Sequence, residues 1–302
     1  VLAIIIPYYK IDFFEETLHS LANQTNKNFK VYIGDDASPD SPEDILKNFH
    51  GKFDFVYHRF DKNLGSVSLT KQWERCIDLS GDEEWLMILG DDDFLGDTVV
   101  ELWYQKLDTF FNKSEVVRFA TKIVEQQTNS VSETYFHPIW EKATESFYRK
   151  FIHLTRSSLS EHIFTRKAFL KFGFTNYPLA WNSDDRAWLD FSDKKPIFSI
   201  NDSIVFVRIS SVNISGKVDN IEKKSLSVIA FYKFLIEKRI KYYSVPQREK
   251  IIRFYENEIK KLRNLKLSEW LFLLFFYLKY LDFNSIKKFS KRFLKNILKR
   301  NE

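Results

Sequence analysis

Three consecutive carboxylates, Asp91, Asp92 and Asp93, follow directly on the apolar run Trp85–Leu89. Like charges this close repel, so a cation is the simplest reason to keep them together. Mg²⁺ or Mn²⁺ takes hard oxygen ligands, with one or two carboxylates and substrate phosphates completing the shell. The bland alternative is a solvated acidic turn, and a Gly-Asp-Asp turn also occurs in polymerase palms. A second acidic group, Asp35 and Asp36, closes the apolar run Lys30–Gly34. Read locally, Asp35–Asp40 is a turn whose Asp and Ser residues cap a helix opening at Pro42.

Positioning both clusters falls to an alternation of strand and helix signals. Leu2–Ile6 is a continuous apolar run ending at Pro7, as expected of a strand buried on both faces. Helices are predicted near Phe13–Ala22, Pro42–Phe49 and Ser66–Leu79, and strands at Lys30–Gly34, Phe53–His58 and Trp85–Leu89. That order implies a mostly parallel sheet flanked by helices, whose ligands sit beyond the carboxyl ends of the strands. Tyr8, Tyr9, Asp35, Asp36 and Asp91–Asp93 all fall at such ends. Short strands follow at Val116–Ala120, Ile163–Phe164, Ile197–Ile200 and Ile204–Val207. Ser210–Gly216 reads as a linker, and four helices are predicted near 220–240, 246–264, 267–281 and 285–299.

Composition bounds the function. The 302 residues are 44% hydrophobic and 17% aromatic, ample for a core. One cysteine, Cys76, allows no internal disulfide, in keeping with a reducing compartment. No run approaches the roughly 20 apolar residues of a membrane span, and no secretory signal pattern opens the chain. The net charge of +5 is unevenly divided: residues 217–302 hold 22 Lys and Arg against 9 Asp and Glu. No G-x-G-x-x-G follows a strand, which argues against dinucleotide oxidoreduction. The absence of glycine from "PYYK" argues against nucleotidyl transfer to sugar phosphates.

Taken in order, these segments resemble the inverting nucleotide-sugar glycosyltransferases called family 2, of the A-type glycosyltransferase fold. "AIIIPYYK" is close to the family's "IIPTYN". "LHSLANQTNKNFKVYIGDDASPD" is close to "L-x-S-L-x-x-Q … VDDGSTD", with Leu18, Ser20, Leu21 and Gln24 in place. "NLG" at 63–65 and "LMILGDDDF" correspond to the loop after strand three and the metal-binding element. "HIFTRKAFLKFGFTN", "NSDDRAWLDF" and "IVFVRISSVNIS" resemble the segment before the acceptor site, the "ED" helix and the closing "YRxHxxxxS". The resemblance spans about residues 2–215 and not the rest. It implies a catalytic domain over 1–215 and a basic helical region over 216–302.

The resemblance also implies roles. Pro7 and Tyr8 line the nucleotide slot, and Asp36 accepts a hydrogen bond from the donor base, a uracil in many members. Lys71, on the helix after "NLG", faces the donor or is an ordinary solvated lysine. Asp91, Asp92 and Asp93 hold ribose and metal, the frame being ambiguous by one residue because the chain has Gly90-Asp91-Asp92-Asp93. Asp185 is the general base, with Asp184 as the alternative. The "YRxH" histidine is Ser210 here; His137 and His162 are the histidines that could replace it, though each also reads as ordinary structure. Trp181 and Tyr177 either stack on a sugar or pack in the core.

The implied partners are a nucleotide diphosphate sugar, with a UDP-sugar favoured, and a saccharide or lipid-linked saccharide acceptor of a surface polysaccharide or glycolipid. In the last segment, Ile286, Phe289, Phe293, Leu294, Ile297 and Leu298 form one helical stripe, with Lys and Arg opposite. That pattern suits an anionic membrane surface or a helix packed on the protein; nucleic acid is not indicated. The expectation is a cytoplasmic enzyme, peripheral on the inner face of the cell membrane. A catalytically inactive, membrane-associated scaffold is the alternative, and intact acids at each expected position argue against it.

Overall fold

The computed structural model describes residues 1–211 and 220–298, with side chains through 296. The chain forms two compact units, Val1–Asp219 and Asn220–Glu302.

The first unit begins with β1 (Leu2–Tyr8), α1 (Phe14–Ala22), β2 (Phe29–Asp35), α2 (Glu43–Lys47), β3 (Asp54–Arg59), α3 (Leu69–Ile77) and β4 (Trp85–Ile88). It continues through β5 (Phe94–Leu95), α4 (Val99–Phe110), β6 (Val116–Glu125), β7 (Ser130–Val131), β8 (Trp140–Lys142) and α5 (Ala143–Phe151). β9 (His162–Thr165), α6 (Arg166–Phe172), α7 (Ser183–Phe191) and β10 (Pro196–Ile209) complete it. One sheet runs in the order β3-β2-β1-β4-β9-β6-β10-β5. β1 pairs in parallel with both β2 and β4, and β2 with β3. β9 then enters antiparallel between β4 and β6, so the half beyond β4 is mixed.

The apolar run of β1 is continuous because both faces are covered. Leu2, Ile4 and Ile6 join one cluster with Phe14, Leu18 and Trp103, while Ala3 and Ile5 join a second with Trp73, Cys76 and Trp188. Helices α1 and α4 thus cover one face, and α3, α6 and α7 the other. The two predicted strands at 197–200 and 204–207 are one strand, β10, with a register shift between Ile200 and Ile204. Asn201 sits in that irregularity and exchanges hydrogen bonds with the backbone of His137.

The second unit contains α8 (Ile221–Phe234), α9 (Val245–Leu262), α10 (Leu267–Tyr280) and α11 (Phe283–Leu298). Its core includes Phe231, Ile252, Tyr255, Trp270, Tyr277 and Phe289. Glu256 is fully buried and accepts from Arg253, Lys260 and Arg292, so part of the unit's positive charge is neutralised internally. The predicted linker Ser210–Gly216 lies mostly outside the described residues, as do the side chains of Ile297, Leu298, Lys299 and Arg300. No described helix is long and apolar enough to cross a membrane.

Candidate active site

The parallel half of the sheet brings the first two acidic clusters to one edge. Tyr8 is in register with Asp35, and the turn after β4 folds back on the turn after β1. There Asp91 Oδ2 accepts the backbone N–H groups of Tyr9 and Lys10, each at 2.8 Å. Thr17 of α1 donates to the carbonyls of Asp93 (2.7 Å) and Asp91 (3.2 Å), pinning the acid turn from below. Ser20 and Gln24, one and two turns further on, secure the chain beyond it: Ser20 Oγ accepts from Leu95 N, and Gln24 bridges Gly96 O and Val100 N. These local bonds explain why "L-x-S-L-x-x-Q" accompanies an acidic turn seventy residues away.

Asp93 is buried; its Oδ1 accepts Arg208 N at 2.8 Å and its Oδ2 accepts the hydroxyl of Ser160. Burial, followed by the charge of Asp92, pushes the Asp91 carboxyl up to about 7 and that of Asp93 up to about 8. The turn thus concentrates carboxylate oxygens where burial and mutual repulsion make negative charge costly. A divalent cation relieves that cost, and hard oxygen donors of this kind suit Mg²⁺ or Mn²⁺. No group of three or more His, Cys, Asp or Glu able to enclose a metal occurs among the described residues. An ion here needs oxygens from a substrate, as is usual for Mg²⁺ at phosphates. The crowding favours glycine at 90, because a Cβ there would lie 3.0 Å from Asp93 Oδ2 and 3.1 Å from Asp92 Oδ1, so those carboxylates would have to shift.

Asp36 is also buried, and its carboxylate organises the "NLG" loop. It accepts from Leu64 N at 2.6 Å, from Gly65 N at 2.8 Å and from the Arg75 guanidinium. A carboxylate offers about four acceptor positions, so these three donors leave room for one more. Arg75 lies over the Phe60 ring at 3.8 Å, a placement that the sequence did not signal. Lys71, one turn earlier on α3, instead pairs with Glu74 at 2.6 Å and is largely exposed. Tyr8 is fully buried, packs on Phe14 and donates to Asp40 O at 2.8 Å. Its ring therefore builds the wall of the β1 end from inside, and Pro7 before it remains partly exposed.

The third acid cluster opens α7. Three residues before or at its start, Leu179, Ala180 and Asn182, have positive φ without being glycine. Backbone of this kind is costly and persists where the surroundings impose it, often at functional sites. Here it aims Asn182 Nδ2 at Asp185 Oδ2 (2.7 Å), while Lys150 Nζ of α5 holds Asp185 Oδ1 at 2.6 Å. Asp185 is thereby clamped at both oxygens in a buried position. Burial and the Asp185 charge push the neighbouring Asp184 carboxyl up to about 7, a rise that Lys150 restrains. Burial works against the Lys150 ammonium, yet the two carboxylates keep its pKa raised.

A single loop connects the Asp91–Asp93 turn with the surroundings of Lys150 and the third acid cluster. Between α5 and β9, Ser160 touches Asp93 and accepts from Gly90 N, while Ser158 donates to Glu161. Arg156, 3.6 Å from Glu161, acts electrostatically on both Asp93 and Lys150. Burial opposes ionisation of Glu161, but Arg156 and the Ser158 bonds hold it down at about 2. Lys150, Arg156 and Ser160 were not foreseen, since none carries a local motif, and Arg208, the arginine of the "YRxH"-like segment, was not singled out.

The two candidate histidines are structural. His162 is buried against Trp188 with ring centroids 4.1 Å apart, and burial pulls it down to about 4. His137 is likewise buried and pulled down to about 2. Tyr177 is buried and Trp181 partly exposed.

Comparison with known proteins supports a nucleotide-sugar glycosyltransferase. The chain belongs to glycosyl transferase family 2, whose model matches residues 3–173. Among solved structures it is similar to S. aureus TarS 1-349 in complex with UDP-GlcNAc. That match has a TM-score of 0.64 and 16% identity, covering 94% of this chain and 82% of the other. The UDP complex of the same TarS fragment aligns with a TM-score of 0.60 over the same shares at 16% identity. The longer S. aureus TarS structure aligns at 0.62 with 14% identity, over 98% of this chain and 53% of that one. No curated protein sequence gives a significant match.

Proposed function

We propose that the chain transfers a sugar from a UDP-sugar to an acceptor hydroxyl with inversion at the anomeric carbon. The acceptor is a saccharide or lipid-linked saccharide of a surface glycopolymer, reached at the inner face of the cell membrane. The carrying observation is the Lys150–Asp185–Asn182 clamp, which fixes one carboxylate beside a second whose pKa lies near neutrality.

Asp36, with one acceptor position left, takes the N3–H of the uracil, and Pro7 borders the base. Asp91 and Asp93 hold Mg²⁺ or Mn²⁺, with Asp92 toward the ribose. The ion, when bound, places positive charge against the diphosphate as it leaves. Asp185 accepts the proton of the attacking hydroxyl on the carboxylate that its two partners orient, one at each oxygen, and a single base on one side of the sugar makes the displacement inverting. Transfer late along the reaction suits a carboxylate, because the hydroxyl becomes acidic only as its oxygen bonds to carbon.

The raised Asp184 carboxyl favours a second reading, in which Asp184 takes the proton and Asp185 positions it. The two are separated by Asp185→Asn and Asp184→Asn, assayed for UDP release and for UDP binding by calorimetry. Removing the base lowers turnover by roughly 10²–10⁴ with UDP binding retained. A larger loss in Asp184→Asn moves the base by one residue, and full turnover in both variants refutes the assignment.

A further inference from the structure

Part of the amphipathic stripe read from the last helix is used up inside the protein, while Leu294 stays 57% exposed. Phe289 is buried and stacks on Tyr277 at 4.5 Å, Phe293 lies 5.4 Å from Trp270, and Arg292 bonds Glu256 and Tyr277. Further apolar surface stays exposed on α10, in addition to Phe283 and Leu294 of α11. Leu267, Leu271, Phe275 and Leu278 are 61%, 53%, 54% and 62% exposed. Their spacing of four, four and three residues places them on one helical face, about 16 Å long at 1.5 Å per residue. Soluble surfaces scatter such residues singly; an ordered row of four is the exception.

We infer that this outer face of α10 is the surface by which the protein sits in an anionic lipid bilayer, its leucines and phenylalanine entering the headgroup–acyl boundary. The inference deepens the proposed membrane location of the acceptor and rests on it. Charge is what selects the occupant. Lys279 closes the face, its ammonium 5.4 Å from the Phe275 ring centroid. The adjoining helix α11 exposes Lys287, Lys288, Lys291 and Lys295, and no acid occurs between Phe283 and Leu298. Lysines beside an apolar row bury their stems and hold their ammonium groups at the phosphate level. A second copy of the chain brings the same lysines against each other and is repelled. An uncharged partner gives those lysines nothing to meet. Anionic lipid satisfies both the row and its rim.

The test is co-sedimentation of the full chain with vesicles of phosphatidylcholine, alone or mixed with phosphatidylglycerol, comparing wild type with the double variant Leu271→Gln/Phe275→Gln. Both side chains are exposed, so the variant is expected to keep its melting temperature and its UDP release with a water-soluble acceptor. The expected result is binding to the mixed vesicles that weakens with salt, and roughly tenfold or greater loss of affinity for each apolar side chain removed. Equal binding by variant and wild type overturns the assignment of this face while leaving a membrane location standing. Failure of the wild type to bind either vesicle overturns both. Sedimentation equilibrium showing a wild-type dimer that the variant abolishes gives the face to a second copy and also overturns the inference.

Discussion

Replacing Lys150 by methionine tests the catalytic reading at its most specific point. The ammonium lies 2.6 Å from Asp185 Oδ1, with the two side chains 28% and 3% exposed. Methionine keeps the length and apolar stem and removes the charge. An opposite charge this close lowers a carboxylate's proton affinity by about 1–3 pH units. The acid limb of kcat/KM, which reports the pair Asp184–Asp185, is therefore expected to move up by about that amount on its loss. The base must be unprotonated to work, so turnover at pH 6 falls steeply while turnover at pH 9 recovers towards wild type.

Stability gives an independent readout with a definite sign. Asp184 has a raised carboxyl, near 7. Its favourable contribution is complete below the unfolded-state value of about 4 and is lost as pH rises through 7. Removing Lys150 leaves the same pair less compensated once ionised, at a cost of about 3–5 kcal/mol for a fully buried pair, less here because the lysine retains some exposure. The melting temperature of Lys150→Met should therefore trail wild type more at pH 8 than at pH 5, where the Asp184 carboxyl is protonated. Lys150→Arg should recover most of both effects. A variant whose pH–rate profile superimposes on wild type after scaling, with an equal loss of melting temperature at both pH values, has lost only packing and refutes the positioning role.

The other expectations concern the donor side. Excess EDTA should abolish turnover, and Mn²⁺ or Mg²⁺ should restore it; full activity in chelator removes the metal role from Asp91 and Asp93. Gly65→Ala places a Cβ 2.6 Å from Asp36 Oδ2, a clash that costs about 1–3 kcal/mol and displaces the loop Asp36 organises. UDP affinity measured by calorimetry should drop by roughly tenfold or more. Gly81→Ala, whose nearest neighbour is a Glu83 oxygen at 3.5 Å, should bind UDP as wild type does, and equal affinity in the two variants sinks this account of the loop.

Much of the sheet was legible because burial on both faces leaves its mark on every residue of a strand. The runs at Leu2–Ile6, Lys30–Gly34 and Trp85–Leu89 needed no partner information to be read. What failed was whatever depends on neighbours. Asn201-Asp202-Ser203 looks like a break between two strands, yet β10 passes through it, because Asn201 satisfies the backbone of His137 across an irregular register. The antiparallel entry of β9 beside β4 is equally invisible locally, since a four-residue strand with two apolar residues, Ile163 and Phe164, carries no direction.

The candidate acids stood out unequally: adjacent like charges drew attention to Asp91–Asp93, whereas Asp184–Asp185 were reached only through the family resemblance of "NSDDRAWLDF". Their partners did not stand out, because a lone Lys150 or Arg75 on a helix resembles any solvated cation until the fold closes distances of 35 and 39 residues. The same asymmetry explains Lys71 and Arg75. The two share α3, one turn apart, and only the packing of α3 against β2 decides that Arg75 meets Asp36 while Lys71 meets Glu74. It also explains the C-terminal helices. A 3.6-residue period shows that one face of α11 is covered, but its owner is Trp270 and Tyr277 of the same unit. In α10 the near-continuous apolar sequence obscured the row that stays outside, since a helix apolar all round gives periodicity nothing to detect. Exposure, which only the fold supplies, separates Leu273 and Tyr277 on the inside from Leu271 and Phe275 on the outside.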